Sequence, residues 1–253
     1  MFFDSHAHMD HRRFSEDRAE ILGDLKNHNV GYIMDVGCDL TSSMKAMALA
    51  EKYPFVYAAV GSHPDDAANF TDATAAMYRE FAKHPKVRAI GEIGLDYYYD
   101  DNPPEVQKKA LFAQLELAKE LDMPVIIHDR DAHGDMLAAI RQYPTLRGVF
   151  HCFSGSAEMA KEVVKLGWYV GFTGVLTFKN ARKAVEAAAA VPLDRILIET
   201  DCPYMAPEPF RGKRNDSRFV PYMAKKLAEI RNISLEDAEN ATTENAKRLF
   251  GIG

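Results

Sequence analysis

Two histidines stand one residue apart near the start of the chain, in the stretch DSHAH at positions 4–8. On a β-strand, residues i and i+2 point to the same side and lie roughly 6.6 Å apart, whereas on a helix they diverge by about 200°. Two phenylalanines precede the stretch and favour a strand, so Asp4, His6 and His8 would share one face. We therefore predict a metal site here, and the alternative is an incidental surface pair of histidines.

Further polar side chains follow the other short apolar runs, at the point where each run ends. They are His63, Glu92, Asp96, His128, Asp129, His151, Glu199 and Asp201. Histidine and carboxylate side chains are costly to bury without partners, and a metal site removes that cost. The set exceeds what one tetrahedral zinc ion needs, so we predict a pair of divalent ions roughly 3.5 to 4 Å apart. The predicted ligands are His6, His8 and Asp201 for the first ion, His128 and His151 for the second, and Glu92 as the bridge.

Short apolar runs alternate with longer stretches of helical spacing, which is typical of β-α units in a parallel sheet buried on both faces. The eight predicted strands are Phe2–His8, Tyr32–Gly37, Val56–His63, Val87–Asp96, Pro124–Arg130, Gly148–Ser154, Tyr169–Gly174 and Ile196–Asp201. The clearest helical pattern runs from Glu105 to Leu121, and another runs from a capping-box-like start at Ser234 to a stop at Gly251. This α/β alternation predicts a single (β/α)8 TIM barrel with its chemistry at the C-terminal ends of the strands. An open doubly wound sheet is the alternative, but the sequence lacks the glycine-rich phosphate loop expected after its first strand.

The bulk composition is that of one globular domain, which we predict to span residues 1–253. The chain is 47% hydrophobic and shows no linker-like or low-complexity tract. Its formal net charge of −6 argues against nucleic-acid binding by the whole surface, although residues 211–218 form a local basic cluster. Three cysteines without paired spacing favour a reducing compartment, and no pattern of a signal peptide or membrane span is present. We therefore expect a cytoplasmic protein with no membrane association and no obligate protein partner.

Eight short motifs occur in order along nearly the whole chain: DSHAH, VGSHP, GEIGLDYY, IIHDRDA, HCFSGS, ETDCPYMAP, RGKRN and TTENAKRLFG. In type, order and spacing they resemble the motifs of the TatD family of metal-dependent deoxyribonucleases, within the amidohydrolase-like barrels. The resemblance implies a TIM-type barrel, a divalent-metal centre and hydrolysis of phosphodiester bonds, often as a 3′-to-5′ exonuclease on single-stranded DNA. It gives ligand roles to the same six residues. Ser62 is a departure, because a larger apolar residue is more usual before the histidine, and this bears on the shape of the pocket.

Catalytic roles follow from the attack of a water molecule on a phosphodiester. Two cations would activate that water and offset the charge that builds on the phosphate oxygens. Asp201 is the candidate that receives the proton of the water, which rests on its position and on the resemblance. Glu92 acts as the bridge between the ions. His63 is surplus to the metal count, so it is either a ligand of the scissile phosphate or of the departing hydroxyl, or a buried hydrogen-bonded histidine.

Substrate contacts are predicted from cations and aromatic residues near the strand ends. Arg130 could pair with two phosphate oxygens, or else form a salt bridge with Asp129 or Asp131. The cluster at 211–218 is predicted to approach a nucleic-acid backbone through Arg211, Lys213 and Arg214, with a solvated loop as the alternative. Tyr97, Tyr98 and Tyr99 could stack on an unpaired base, or else pack under a loop.

The residues leave alternatives for the reaction, the metal and the substrate. Related barrels cleave amides, lactones and other esters with similar ligands, but many of them carry a lysine where this sequence has Glu92. An aminoacyl-tRNA deacylase would use the same metal chemistry, and a nucleic-acid-binding barrel with a structural metal is the non-enzymatic alternative. The donor types suit Mg²⁺, Mn²⁺ or Zn²⁺. The nucleic-acid substrate is either DNA or RNA.

Overall fold

A computed structural model of the chain describes residues 1–99 and 101–253. Eight strands form one sheet in the order β1-β2-β3-β4-β5-β6-β7-β8. The strands are β1 (Phe2–Ala7), β2 (Val30–Val36), β3 (Val56–Val60), β4 (Val87–Asp96), β5 (Val125–Arg130), β6 (Gly148–Phe150), β7 (Tyr169–Phe172) and β8 (Ile196–Ile198). The first strand pairs in parallel with β2 and also contacts β8. The fold is therefore the predicted (β/α)8 barrel.

Helices follow the strands along the chain. In the described residues they are α1 (Arg18–Asp24), α2 (Leu40–Lys52), α3 (Asp72–Phe81), α4 (Pro104–Glu120), α5 (His133–Ile140), α6 (Ala157–Lys165), α7 (Arg182–Ala190), α8 (Val220–Arg231) and α9 (Leu235–Phe250). The capping box of Ser234 with Asp237 starts α9, and Gly251 ends it with a φ of 63°, as the sequence predicts. Among the described residues, none of these helices combines the length and the apolarity that crossing a membrane needs.

All eight predicted strands are present, but several end earlier than predicted. The strands expected to reach His63, Ser154, Gly174 and Asp201 end at Val60, Phe150, Phe172 and Ile198. Positive φ angles of 43° at Cys152 and 54° at Asp201 take the backbone out of the extended conformation. Pro64 starts a 3-10 helix directly after His63. The predicted strand ends were therefore wrong there, and His63, His151 and Asp201 lie in the loops that follow the strands.

The chain divides into two compact units, and a single domain over 1–253 stays a prediction. One unit consists of Met1–Asp35 and Cys152–Gly253. In its core the ring of Phe3 stacks on Tyr32 with centroids 5.5 Å apart, and it also lies 6.0 Å from the ring of Phe250. These contacts hold α9 against β1, the strand that carries His6 and leads into His8.

The second unit, Val36–His151, is organised by two buried glutamines of α4. The side chain of Gln114 accepts from the backbone N–H of Ser62 (2.8 Å) and donates to the carbonyl of the same residue (3.0 Å). Gln107 does the same for Asp96, at 2.8 Å and 2.7 Å. The helix therefore fixes the backbone at the ends of two neighbouring strand segments, where the predicted site residues begin.

Gly94 lets β4 and β5 approach closely. A Cβ atom at this position would lie 1.9 Å from the carbonyl oxygen of His128, which no real side chain tolerates. The parallel register sets Gly94 opposite His128 and Asp96 opposite Arg130. The missing side chain thus brings His128 against the strand that carries Glu92.

Candidate metal centre

The first cluster consists of His6, His8 and Asp201, at the end of β1 and in the segment after β8. The Nε2 atoms of the two histidines lie 3.2 Å apart. The Oδ1 atom of Asp201 lies 3.9 Å from Nε2 of His6 and 3.4 Å from Nε2 of His8. All three residues are buried. Two imidazoles and one carboxylate thus turn toward one small volume, as the His-x-His spacing predicts.

Reciprocal backbone hydrogen bonds hold the first cluster together. The N–H of Asp201 donates to the carbonyl of His6, and the N–H of His8 donates to the carbonyl of Cys202, both at 2.9 Å. The left-handed backbone of Asp201 is the kind of local strain that persists where surrounding contacts over-determine a conformation. This backbone arrangement sets the carboxylate beside the imidazoles.

Buried carboxylates support the residues of the first cluster. Asp4 accepts the N–H of Thr200 at 2.8 Å and its hydroxyl at 2.6 Å, and so holds the residue before Asp201. Burial raises the pKa of Asp4 to about 7. Asp35 accepts the backbone N–H of Met9 at 2.6 Å, directly after His8, and burial raises its pKa well above the usual range. Asp4 therefore orients the backbone beside Asp201, and Asp35 holds the backbone next to His8, a role that the sequence did not indicate.

The second cluster consists of Glu92, His128 and His151. The Oε1 atom of Glu92 lies 2.8 Å from Nδ1 of His128 and 2.5 Å from Nε2 of His151. The two histidine nitrogens are themselves 3.3 Å apart. The three residues come from β4, from β5 and from the position just after β6. This cluster again combines two imidazoles with one carboxylate.

Asp96 holds the far side of the His128 ring. Its Oδ2 atom lies 2.9 Å from Nε2 of His128, while Nδ1 of the ring faces Glu92. Burial by itself lowers the pKa of His128, but the hydrogen bonds to Asp96 and Glu92 raise it to about 9. A cation held by His128 would replace one proton of the ring, and Asp96 would then fix the ring through its other nitrogen.

His63 lies beside the second cluster. Its Nδ1 accepts the backbone N–H of Asp65 at 3.1 Å and lies 3.3 Å from the Oδ1 atom of the same residue. Its Nε2 lies 3.9 Å from Oε1 of Glu92, and the ring meets the ring of His128 edge-on at 4.3 Å. The Nε2 edge of the His63 ring therefore faces the cluster. The preceding Ser62 is buried and bonds to the hydroxyl of Tyr78 at 2.9 Å.

The donor atoms fit a divalent cation at each cluster. Ligand atoms about 2.0 to 2.2 Å from a metal lie about 3 to 3.5 Å from one another. The corresponding separations are 3.2 to 3.9 Å in the first cluster and 2.5 to 3.3 Å in the second. Imidazole nitrogens suit zinc, and carboxylate oxygens suit magnesium or manganese. Glu92, His128 and His63 also bring one ligand atom each within 4.8 Å of one another.

The predicted substrate-binding cations occupy different surroundings. Arg214 pairs with the carboxylate of Asp17 and donates to the carbonyl of Arg13 at 2.6 Å. The guanidinium of Arg211 lies over the ring of Phe178, 4.3 Å from its centroid, and the ammonium of Lys213 lies 5.9 Å from the centroid of Phe210. Their predicted phosphate contacts stay predictions.

The sequence did not indicate the roles of Asp96 and of the two buried glutamines of α4. Asp96 was noted at a strand end without a role, although the two-residue spacing from Glu92 through Gly94 places all three on one face of β4. Gln107 and Gln114 stand in the apolar stripe of α4, where a polar residue signals a buried hydrogen-bond partner. That partner, the backbone after a distant strand, has no signal in the local sequence.

Comparisons with known proteins cover the whole chain. The family described as TatD related DNase matches residues 3–251. A relative from Bacillus subtilis (strain 168), named an uncharacterized metal-dependent hydrolase, is 44% identical and is matched over 100% of both chains. A relative from Erwinia billingiae, named a 3′-5′ ssDNA/RNA exonuclease, is 35% identical over 99% of both chains. The crystal structure of a TatD homologue from Escherichia coli K12 superposes with a TM-score of 0.94 at 33% identity, covering 100% of this chain and 98% of that one.

Proposed function

The chain belongs to the family of TatD-related DNases and is a metal-dependent hydrolase acting on ester bonds, and from that premise we propose that it removes nucleotides from the 3′ end of single-stranded DNA. The name of the relative from Erwinia billingiae supports this direction and strand type, with RNA as a further substrate. The observation that carries the proposal is the second cluster with His63 beside it. It offers cation ligands with an imidazole beside them, and a phosphodiester needs positive charge and a hydrogen-bonding group at the same place.

We propose two divalent ions per chain, one at each cluster, with Mg²⁺, Mn²⁺ and Zn²⁺ as the candidates. Bound cations supply an activated water and offset the negative charge that develops on the phosphate oxygens. The two clusters support this number because each has two imidazoles and one carboxylate. The bridging role of Glu92 stays a prediction.

The residues of the chain and the solvent supply the proton transfers. In the proposed step the water oxygen forms a bond to phosphorus and the bond from phosphorus to the 3′ oxygen breaks. Asp201 accepts the proton of the water at a carboxylate oxygen. The departing 3′ oxygen takes up a proton from solvent, and Nε2 of His63, which faces the second cluster, forms a hydrogen bond with that oxygen or with the phosphate. The products are a mononucleotide and a strand shortened by one residue.

The test uses chelator-stripped protein to which Mg²⁺, Mn²⁺ or Zn²⁺ is restored. Each sample is offered single-stranded DNA labelled at either end, RNA, charged tRNA and a chromogenic phosphodiester. We expect the 5′-labelled DNA to give a ladder of progressively shorter strands and the 3′-labelled DNA to release labelled mononucleotide at once. Hydrolysis of the aminoacyl ester of charged tRNA alone would reject the nuclease in favour of a deacylase.

Variants connect the activity to the clusters. Glu92→Gln and Asp201→Asn should each lower DNA hydrolysis by at least about 100-fold, because each removes a charged donor from its cluster. Metal content per chain, measured by mass spectrometry, should fall in the same variants. Glu186→Gln on α7 is the matched control, since Glu186 pairs with Arg182 at the surface. Unchanged hydrolysis in both cluster variants would reject the assigned centre.

A further inference from the structure

Two exposed tyrosines lie shortly after β4, separated from it by Tyr97. Tyr98 exposes 57% and Tyr99 exposes 49% of its surface. Their rings stand perpendicular to each other with centroids 4.9 Å apart. The neighbouring Tyr97 differs, because its hydroxyl donates to Asp135 at 2.8 Å. The sequence had grouped the three tyrosines, but only Tyr98 and Tyr99 offer open ring faces.

Arg130 lies against both exposed rings. Its guanidinium carbon is 3.8 Å from the ring centroid of Tyr98 and 4.7 Å from that of Tyr99. Asp129, one of its predicted salt-bridge partners, instead contacts His133 at 2.9 Å. Within 1–99 and 101–253, the structure gives Arg130 no carboxylate partner. Among the described residues the guanidinium thus contacts aromatic faces and no carboxylate.

The loop that carries the tyrosines is tied to a metal-ligand candidate. The Oδ1 atom of Asp96 accepts the backbone N–H groups of Tyr98 at 2.9 Å and Tyr99 at 3.2 Å, while Oδ2 contacts His128. Arg130 follows His128 by two residues on β5, so the two side chains leave the strand on the same side. The two tyrosine rings, the guanidinium of Arg130 and the candidate ligand His128 are thus fixed relative to one another before a substrate binds. Less conformational entropy is therefore lost on binding.

We propose that Tyr98, Tyr99 and Arg130 form a binding site for an unpaired nucleobase and the phosphate attached to it. The base stacks on the open tyrosine faces, and the guanidinium of Arg130 binds the phosphate oxygens. Bases in a duplex are already stacked on each other, so this site selects single strands. This site rests on the proposed function, and it is where Tyr98, Tyr99 and Arg130 would bind one base and one phosphate of the nucleic-acid substrate.

The test measures binding rather than turnover. The metal-loaded protein is titrated with a fluorescent thymidine oligonucleotide and with an abasic strand of the same length, both with phosphorothioate linkages that resist hydrolysis. Fluorescence anisotropy should show that the protein binds the base-containing strand roughly 10- to 100-fold more tightly. The variant with Tyr98→Ala and Tyr99→Ala should lose this preference and bind both strands alike.

Two variants separate stacking from a structural effect. Tyr98→Phe together with Tyr99→Phe should keep the preference, because the aromatic faces remain. Tyr222→Ala removes a tyrosine on α8 that is 37% exposed and should also keep it. Metal content and Tm should be unchanged in all of these variants.

The outcomes distinguish the site from the proposed function. Equal binding of the two strands by the unsubstituted protein would overturn the site, as would a preference that survives both alanine substitutions. A preference lost together with bound metal would also overturn it, since the tyrosines would then act through the neighbouring cluster. If no metal-restored sample hydrolyses DNA while the base preference persists, the exonuclease fails and the nucleobase site stands.

Discussion

Two loops of this protein are each capped by a buried aspartate, yet the two carboxylates are used differently. In the loop after β4, Asp96 accepts two backbone N–H groups with one oxygen and contacts His128 with the other. In the 211–218 loop, Asp216 accepts the backbone N–H of Arg218 and also pairs with its guanidinium at 2.9 Å and 3.0 Å. In the part of the chain that the structure describes, the first loop supplies no carboxylate to the neighbouring Arg130, whereas the second neutralises its own arginine.

This difference shows that acidic residues can neutralise a basic cluster in the folded chain. The positive charge of that cluster is then not available to a ligand. The 211–218 loop is the most basic stretch of the chain, but Arg218 pairs with Asp216 and Asp24, and Arg214 pairs with Asp17. These pairings hold the pKa of both guanidinium groups above the usual range. The single arginine beside the β4 loop is the better placed to bind a phosphate.

The largest expected effect is on metal affinity, which should depend on Asp96 and not on Asp216. Asp96→Asn removes the anion that orients His128, and removal of such a partner typically costs about 10- to 100-fold in metal affinity or activity. Metal affinity measured by competition with a chromogenic chelator should fall by that amount. Asp216→Asn is the matched control and should lower Tm without changing metal affinity. Equal metal affinity in the two variants would remove the distinction between the loops.

The next effect concerns single-stranded DNA. Arg130→Ala should weaken binding of a phosphorothioate oligonucleotide by roughly 10-fold, because the charge-assisted contact to phosphate is lost. Arg214→Ala should weaken it by less than about 3-fold, since Asp17 already neutralises this residue. Anisotropy titrations at several salt concentrations give both values. A larger loss for Arg214→Ala would reverse the comparison and restore the phosphate role predicted for that residue.

A smaller effect is expected on stability. Arg218→Ala leaves the buried carboxylate of Asp216 without its guanidinium partner, which should lower the free energy of unfolding by about 1 to 2 kcal/mol. Urea unfolding followed by circular dichroism measures this difference. Arg182→Ala on α7 is the control, because its pair with Glu186 is exposed and should contribute less than about 0.5 kcal/mol. A larger loss in the control would show that burial of Asp216 is not what matters.

The smallest expected effect is a dependence of the free energy of unfolding on pH. The hydrogen bond from Arg214 lowers the pKa of Asp17 below its ordinary value of 3.8. Because the folded pKa is the lower one, the pair stabilises the fold above pH 3.8 and loses that contribution as pH falls through the folded value. The stability difference between the unsubstituted protein and Arg214→Ala should therefore be constant near neutrality and shrink in acid. A difference that grows on acidification would contradict this pairing.

Periodicity predicted much of the fold because apolar strands alternate with helical stretches over the whole chain. It predicted β4 to the residue, Val87–Asp96, and α4 to within one residue at each end. It failed at the ends of β6 and β8, where positive φ angles at Cys152 and Asp201 turn the backbone. Neither residue is a glycine, so the local sequence carries no sign of the turn.

The sequence by itself determined which residue types stand where the strands end, and the spacing of His6 and His8 already indicated a shared ligand. The tertiary structure alone decided which cations keep their charge free, because Arg214 and Asp17 lie 197 residues apart along the chain. It also decided that Asp96 holds both a histidine and the loop of Tyr98. Local spacing follows from backbone geometry, whereas the neutralisation of a charge depends on partners that only the folded chain brings within hydrogen-bonding distance.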